Sequence, residues 1–270
     1  MTAMHRVFIS LPVLNEIENI EALLDRIDAS LTGYDYVVCV LDDGSRDGTR
    51  EFLRQRRAET PDRLHVIERT KTQHGSQRGG ALYVALEWGL DNTDCEFFVE
   101  MDGDLSHRPE ELPPALTRLA SSDADVVVAS KFVSGSEVTN RPLGRRLVSQ
   151  LCSMAVHVFL SRKVRDYSNG YRFYTRDAAE TIRSTRIRYT SPIYLSEVLA
   201  IWLRAGQRVV EIPTLYVGRG EGLSKLRLTD LVKAAIAVLE ISLRYHLLGF
   251  ERRPVPADQR LTVEGLAARE

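Results

Sequence analysis

Asp102-Gly103-Asp104 closes the apolar run FFVEM (97–101) and is the sharpest chemical signal in the chain. Two carboxylates one residue apart at the end of a strand can share a hard divalent cation, which takes oxygen ligands and keeps open positions for a substrate's phosphates. Mg2+ or Mn2+ held there would neutralise the charge that develops on a diphosphate leaving group. A D-x-D turn alone is common. It gains force from a second acidic turn, Asp42-Asp43, and from Asn15-Glu16 after the first apolar run. Other nucleotide signatures are missing: the chain has no G-x-x-x-x-G-K-[ST], and no G-x-G-x-x-G follows a strand.

The elements that must position these residues alternate regularly through the first half. RVFISL (6–11), VVCVLD (37–42), LHVIE (64–68), FFVEMD (97–102) and DVVVAS (125–130) read as strands. Helical patterns lie between them at 17–31, 48–59, 79–90 and 109–120. Strands alternating with helices of this length imply βαβ units and a mostly parallel sheet, whose ligands gather at the carboxyl ends of the strands. LPVLNE, LDDGSRDGT, MDGDLSH and SKFVSGSE all follow strands. Any one of them would read as plain turn chemistry; four converging on one edge read as a site.

Beyond residue 131 the pattern changes. From Val138 to Arg165 run 28 residues with six Lys or Arg and no Asp or Glu. A helix around 193–205, a strand at 208–213 and a long helix near 226–248 complete the folded part, and 251–270 read as a polar tail. The last helix reads as packed on the domain, with a peripheral membrane role as the alternative. The expectation is a single domain over 1–250, with a nucleotide-sugar and metal half (5–130) and an acceptor half (131–250).

The whole chain of 270 residues carries 36 Lys+Arg against 37 Asp+Glu, a net charge of −1, which offers no general attraction to nucleic acid. No stretch approaches the roughly 18 apolar residues of a spanning helix. The N-terminal run is cut by Pro12 and Asn15, so a secretory signal is not expected and a cytoplasmic location is. Cys39, Cys95 and Cys152 lie far apart and read as free thiols. His107 reads as a helix-start or supporting residue, His74 as exposed, and Trp88 and Trp202 as core.

P-x-x-N-E (Pro12 to Glu16), DDGSRDGT (42–49), MDGDLSHRPEE (101–111), YSNGYRFY (167–174) and GRGEGLSKL (218–226) together resemble the family 2 glycosyltransferases of GT-A fold, within them the dolichol- or polyprenol-phosphate mannose synthase branch. The resemblance implies an α/β GT-A fold, Rossmann-like, with helical additions at the C-terminus. It also implies metal-dependent transfer of a hexose, plausibly mannose from GDP-mannose, to a polyprenyl phosphate. Pro12, Asn15, Glu16, Asp42 and Asp43 would cradle the nucleoside, with Asp102 and Gly103 beside the diphosphate; Asp102 and Asp104 would hold Mg2+ or Mn2+. Lys131, Arg145, Ser149, Arg172 and Arg219 would bind the acceptor phosphate, and Asp104, Arg145 and Arg219 would carry catalysis.

The residues support one part of this directly. Arg145 and Ser149, at i and i+4 in the acid-free span, would share a helix face suited to a phosphate. A phosphate with a second pKa of about 6 is already a nucleophile at neutral pH. An alcohol acceptor would need a positioned base, for which Asp166 and Glu197 are the candidates. The departures from the family pattern include Leu14 for an aromatic, KTQHGSQRGG (71–80) for G-x-G, Lys131 for Arg, Asn169 for Ser and Gly218 for Asp. Most lie on the acceptor side. The alternative is therefore the same fold acting on a soluble acceptor, ahead of a sugar nucleotidyltransferase or a non-catalytic binding module.

Overall fold

In the computed structural model of the chain, the described residues are 5–69, 78–121, 123–139, 156–218 and 228–253, with backbone alone for 228–233. The strands are β1 (Val7–Val13), β2 (Tyr36–Asp42), β3 (Leu64–Glu68), β4 (Phe97–Glu100), β5 (Val126–Ser130), β6 (Glu137–Thr139), β7 (Arg172–Thr175), β8 (Val209–Pro213) and β9 (Leu215–Val217). The helices are α1 (Ile17–Ser30), α2 (Thr49–Glu59), α3 (Arg78–Asn92), α4 (Leu112–Ala120), α5 (Arg176–Arg183), α6 (Tyr194–Arg204) and α7 (Leu228–Leu243), and a π-helical turn, Arg244–Leu248, continues α7.

Seven strands form one sheet in the order β3-β2-β1-β4-β7-β5-β8, and β6 pairs with β9 in a small parallel ribbon. The neighbours β3/β2, β2/β1, β1/β4 and β5/β8 are parallel. β7 alone runs against the rest, between β4 and β5. The mostly parallel α/β expectation holds, and each expected strand is present within a residue or two. β7 lay within a motif in the sequence and was not anticipated as a strand. Its four residues are too few to show a visible alternation and lead directly into α5.

The central strands β1, β2, β4 and β5 are buried on both faces, as the interior of a parallel sheet requires, while β8 at the edge is only half-buried. Alternate residues divide between two cores. Phe8, Cys39, Leu41, Phe98, Val128 and Tyr174 pack toward α3, α5 and α6, while Ile9, Leu11, Val40, Val99, Val127 and Phe173 pack toward α1 and α4. α3 lies close on the sheet because Gly89 has no side chain: a Cβ there would stand 2.7 Å from the Phe8 ring. Cys39 and Cys95 are buried free thiols, and Cys152 lies outside the described residues.

The expected tail begins pinned rather than loose. Arg252 bridges to Thr185, the Arg253 N–H donates to the Ser184 carbonyl at 2.6 Å, and the Arg253 guanidinium meets Glu87 at 2.8 Å. Residues 254–270 lie outside the described residues. No helix among the described residues is long and apolar enough to cross a membrane.

Candidate active site

The carboxyl ends of β1, β2, β4 and β5 open on one edge of the sheet, and antiparallel β7 delivers its N-terminal approach, 166–171, to the same edge. Topology therefore assembles segments that are far apart in sequence.

The loops after β1 and β2 are laced together. The Asn15 N–H donates to Ser45 Oγ at 2.9 Å, Asn15 Oδ1 accepts from the Arg46 N–H at 2.8 Å, and the Glu16 N–H donates to Thr49 Oγ1 at 2.9 Å. Asn15 adopts a left-handed conformation (φ 56°), which asparagine tolerates better than most residues. Pro12 lies near the end of β1, and the Glu16 side chain, buried at the start of α1, accepts from Asn19 at 2.8 Å.

The acidic pair after β1's neighbour divides. Asp42 is fully buried, and its carboxylate accepts the Ser45 N–H at 3.0 Å and the Arg50 guanidinium at 2.9 Å. Asp42, expected in the nucleoside cradle, here shapes the turn that follows β2. Asp43 stays at the rim, where it accepts from Arg69 Nε at 2.6 Å.

The Asp102-Gly103-Asp104 loop rests on the end of β1. A Cβ on Gly103 would meet Val13 Cγ1 at 2.7 Å and the Pro12 carbonyl at 3.3 Å, so the motif needs glycine for close approach. The loop is held from beneath by His107, which is 1% exposed. Its Nδ1 accepts the Asp102 N–H at 3.0 Å, so Nε2 carries the proton and donates to Asn169 Oδ1 at 3.1 Å. Burial pushes the imidazole pKa down, which keeps it neutral despite nearby Asp102. The ring stacks on Tyr171 at 4.8 Å. His107 thus supports the loop, in line with its expected role.

The Asp102 carboxylate points to the open edge and is gripped through both oxygens by Arg78, at 2.7 and 2.9 Å. Arg78 starts α3, where Gly79 lets the helix abut Tyr194 and Thr190: a Cβ there would lie 2.8 Å from the tyrosine Cβ. Asp104 Oδ1 accepts the Ser106 N–H at 3.0 Å and its hydroxyl at 2.5 Å. Two carboxylates on a loop buttressed by glycine and histidine are hard oxygen donors suited to Mg2+ or Mn2+, and Asp102 already holds a cationic group. Among the described residues no third His, Cys, Asp or Glu joins them, so the remaining ligands would come from a diphosphate and water.

On the acceptor side two of the expected residues are engaged within the chain. The Lys131 ammonium is buried 3.4 Å from Asp166 and lies over the Tyr216 ring at 5.2 Å. Arg172, expected to reach the acceptor, is fully buried. It donates to the Asn169 and Tyr167 carbonyls at 3.0 and 3.3 Å and faces buried Glu100 across the β4/β7 pair. The pleat turns that side chain into the core on the face covered by α6, where its guanidinium lies 5.9 Å from the centre of the Trp202 ring. Arg145, Ser149 and Arg219 lie outside the described residues. The chain leading to Arg219 docks at the site: the Val217 N–H donates to the Ser106 carbonyl at 3.3 Å and the Gly218 N–H to that of Thr139 at 2.9 Å.

Both candidate bases are engaged. Burial works against ionising Asp166, but Lys131 and the N–H and hydroxyl donors around the carboxylate outweigh it and hold the pKa below the usual range. Glu197 is buried with its carboxylate toward the Arg188 and Tyr189 N–H groups and Arg244. Sequence reasoning missed Arg78. Its one signal was a cation immediately before the paired glycines that open α3.

A parallel sheet with one antiparallel strand beside β4, and a D-G-D loop on its carboxyl edge, defines a glycosyltransferase of the GT-A class. The chain belongs to glycosyl transferase family 2, whose sequence pattern matches residues 8–183. It is 35% identical over 221 residues to an undecaprenyl-phosphate mannosyltransferase of Micrococcus luteus, covering 82% of this chain and 87% of that one. It is 32% identical over 246 residues to a polyprenol monophosphomannose synthase of Mycolicibacterium smegmatis, covering 90% and 89%. Among solved structures it shares the fold of glucosyl-3-phosphoglycerate synthase from Mycobacterium tuberculosis in complex with Mn2+, UDP and glucosyl-3-phosphoglycerate, with TM-score 0.61, 19% identity and 94% and 88% coverage.

Proposed function

We propose that this chain moves mannose from GDP-mannose to a polyprenyl phosphate. Pro12, Asn15, Glu16 and Asp43 would contact the nucleoside, Gly103 would let the loop approach the diphosphate, and Asp102 and Asp104 would hold Mg2+ or Mn2+. Bound there, the cation stabilises the diphosphate as negative charge develops on it. The names of the two relatives, which match over more than four-fifths of each chain, support the sugar and the lipid class.

The observation that carries the acceptor class is the state of the carboxylates. Asp166 is fully buried and saturated by donors, and Glu197 is fully buried against the Arg188 and Tyr189 N–H groups and Arg244, so neither carboxylate is open to an incoming alcohol. An acceptor phosphate needs no base. One of its oxygens would form the new bond to the anomeric carbon as the bond to the donor's diphosphate breaks, the electron pair leaving on GDP. In-line attack inverts the centre. Arg145, Ser149 and Arg219 are the side chains proposed to position that phosphate.

The test is incubation with radiolabelled GDP-mannose, Mn2+ or Mg2+ and a short-chain polyprenyl phosphate, followed by organic extraction. Parallel arms carry UDP-glucose as donor and phosphoglycerate as a soluble acceptor. Label in the organic phase that requires both metal and GDP-mannose is the expected result. Transfer to the soluble acceptor alone would replace the lipid reading, and the absence of thermal stabilisation by any nucleotide sugar would overturn the donor assignment.

A further inference from the structure

We propose that buried Glu100 is a second partner for Arg78: the guanidinium leaves Asp102 for Glu100 when a divalent cation takes the Asp102 carboxylate. This rests on the reading of Asp102 as a cation ligand and makes Glu100 a positioning residue for that site. Glu100 ends β4, two residues before Asp102, and is 1% exposed. The Tyr174 and Tyr194 hydroxyls, from β7 and α6, both donate to its Oε1, at 3.2 and 3.1 Å. Its Oε2 is buried with no hydrogen-bond partner among the described residues. Leaving such an oxygen without a donor is costly, so an approaching N–H would be held firmly there.

Two cations act on this carboxylate. Burial pushes the Glu100 pKa up, and the charges of Arg172 and Arg78 pull against it. Arg172 stands opposite in the β4/β7 register but is fixed, since its Nε and Nη2 are spent on the Asn169 and Tyr167 carbonyls. Arg78 is the movable one. Its side chain is 28% exposed, and its buried Nε also has no partner among the described residues. Thus an unpaired donor and an unpaired acceptor of opposite charge occupy one neighbourhood while Asp102 holds the end of the arginine.

The backbone puts both carboxylates within reach of that side chain. The Met101 N–H still donates to the Ser10 carbonyl at 3.1 Å, so the chain stays extended past the end of β4. Positions i and i+2 of an extended chain point to one side, roughly 7 Å apart. Val99 and Met101 pack in the core toward α1 and α4, so Glu100 and Asp102 face the other way, toward α3. The root of Arg78 is anchored there: the Gly79 N–H donates to the Thr190 carbonyl at 3.1 Å, and Gly79 abuts Tyr194, one of the two tyrosines on Glu100. The head of Arg78 lies on Gly170, where a Cβ would stand 1.9 Å from Nη2, so the glycine gives the guanidinium its room. Asp102 offers two oxygens and Glu100 one, which favours Asp102 until a cation there repels the guanidinium. Glu100 then returns part of the lost interaction, and the arginine stays beside the site without contesting the metal.

The test is a double-mutant cycle on the full chain, read by Mn2+ binding in electron paramagnetic resonance without nucleotide. Glu100→Gln keeps the size of the side chain and an acceptor for both tyrosines but removes the charge that would receive Arg78. It should weaken Mn2+ binding by a factor roughly tenfold greater with Arg78 present than in the Arg78→Gln background. Equal weakening in both backgrounds, as a fixed support of the loop would give, overturns the proposal. The movement itself is read by arginine Nε–H resonances, that of Arg78 being the one missing from the Arg78→Gln spectrum. It should shift on addition of Mg2+ to the wild type, as Nε meets a carboxylate, and the shift should be lost in Glu100→Gln. A wild-type resonance unmoved at saturating Mg2+, or the same shift in both proteins, also overturns the proposal. Absence of Mn2+ binding by the wild type and Arg78→Gln alike would remove the metal reading and the proposal with it. Mn2+ binding without the coupling removes the proposal alone.

Discussion

Replacing Arg78 with glutamine isolates the competition between a side chain and a metal for Asp102. The Arg78 guanidinium holds both carboxylate oxygens at 2.7 and 2.9 Å, and the two side chains are 28% and 21% exposed. A bidentate charged pair in a dry site stabilises by several kcal/mol. Solvent screening at this exposure reduces it to about 1–2 kcal/mol. A cation entering the proposed site must displace or share that pair, so the same energy opposes its binding. At about 1.4 kcal/mol per tenfold, Arg78→Gln should bind free Mn2+ roughly 5- to 30-fold more tightly. Titration of Mn2+ followed by electron paramagnetic resonance, without nucleotide, measures this directly and does not depend on turnover. Unchanged or weaker Mn2+ binding by Arg78→Gln would refute the reasoning, since Asp102 would then not be where the cation and the arginine compete.

Three further perturbations test the framework. His107→Ala leaves the Asp102 N–H and Asn169 Oδ1 without their partner and opens a cavity beside Tyr171. It should cost about 2–4 kcal/mol in urea unfolding and weaken donor binding, whereas full stability would mean that the imidazole is not what holds the loop. Arg50→Ala leaves the buried Asp42 carboxylate short of its cation and should cost about 1–3 kcal/mol with donor affinity retained; a selective loss of donor affinity would return Asp42 to the nucleoside cradle. For Glu197, burial raises the pKa from 4.5 to about 7. The folded state therefore binds the extra proton between those values, and stability falls as pH rises from about 4.5 to about 7, by about 3 kcal/mol at most. Glu197→Gln removes that component, so the wild-type-minus-variant difference in melting temperature should decline across the window, and parallel curves would contradict it.

The legible part of the fold was the part governed by local pattern. Continuous apolar runs such as VVCVLD read as strands buried on both faces, and Ile20, Leu23, Leu24 and Ile27 repeat at helical spacing in α1. β7 was not legible, because its pairing partners, β4 and β5, lie far away in sequence and its own four residues carry no period. The same insertion accounts for Arg172. A reading of G-Y-R-F-Y as a loop leaves the arginine free to reach outward, but its place opposite Glu100 in an antiparallel pair turns it inward. Asp42 and Asp43 are adjacent and identical in type, and only the approach of Arg50 to one and Arg69 to the other separates turn scaffold from rim.

By itself the sequence determined the class of the sheet, the edge on which ligands gather and the carboxylates that carry the proposed metal chemistry. These depend on hydrophobic period and on short motifs, both local along the chain. Tertiary structure decided which charged groups remain open to a ligand, because an ion pair depends on distance in space. That is how Arg78 came to Asp102 across 24 positions and how Lys131 was taken up by Asp166 across 35.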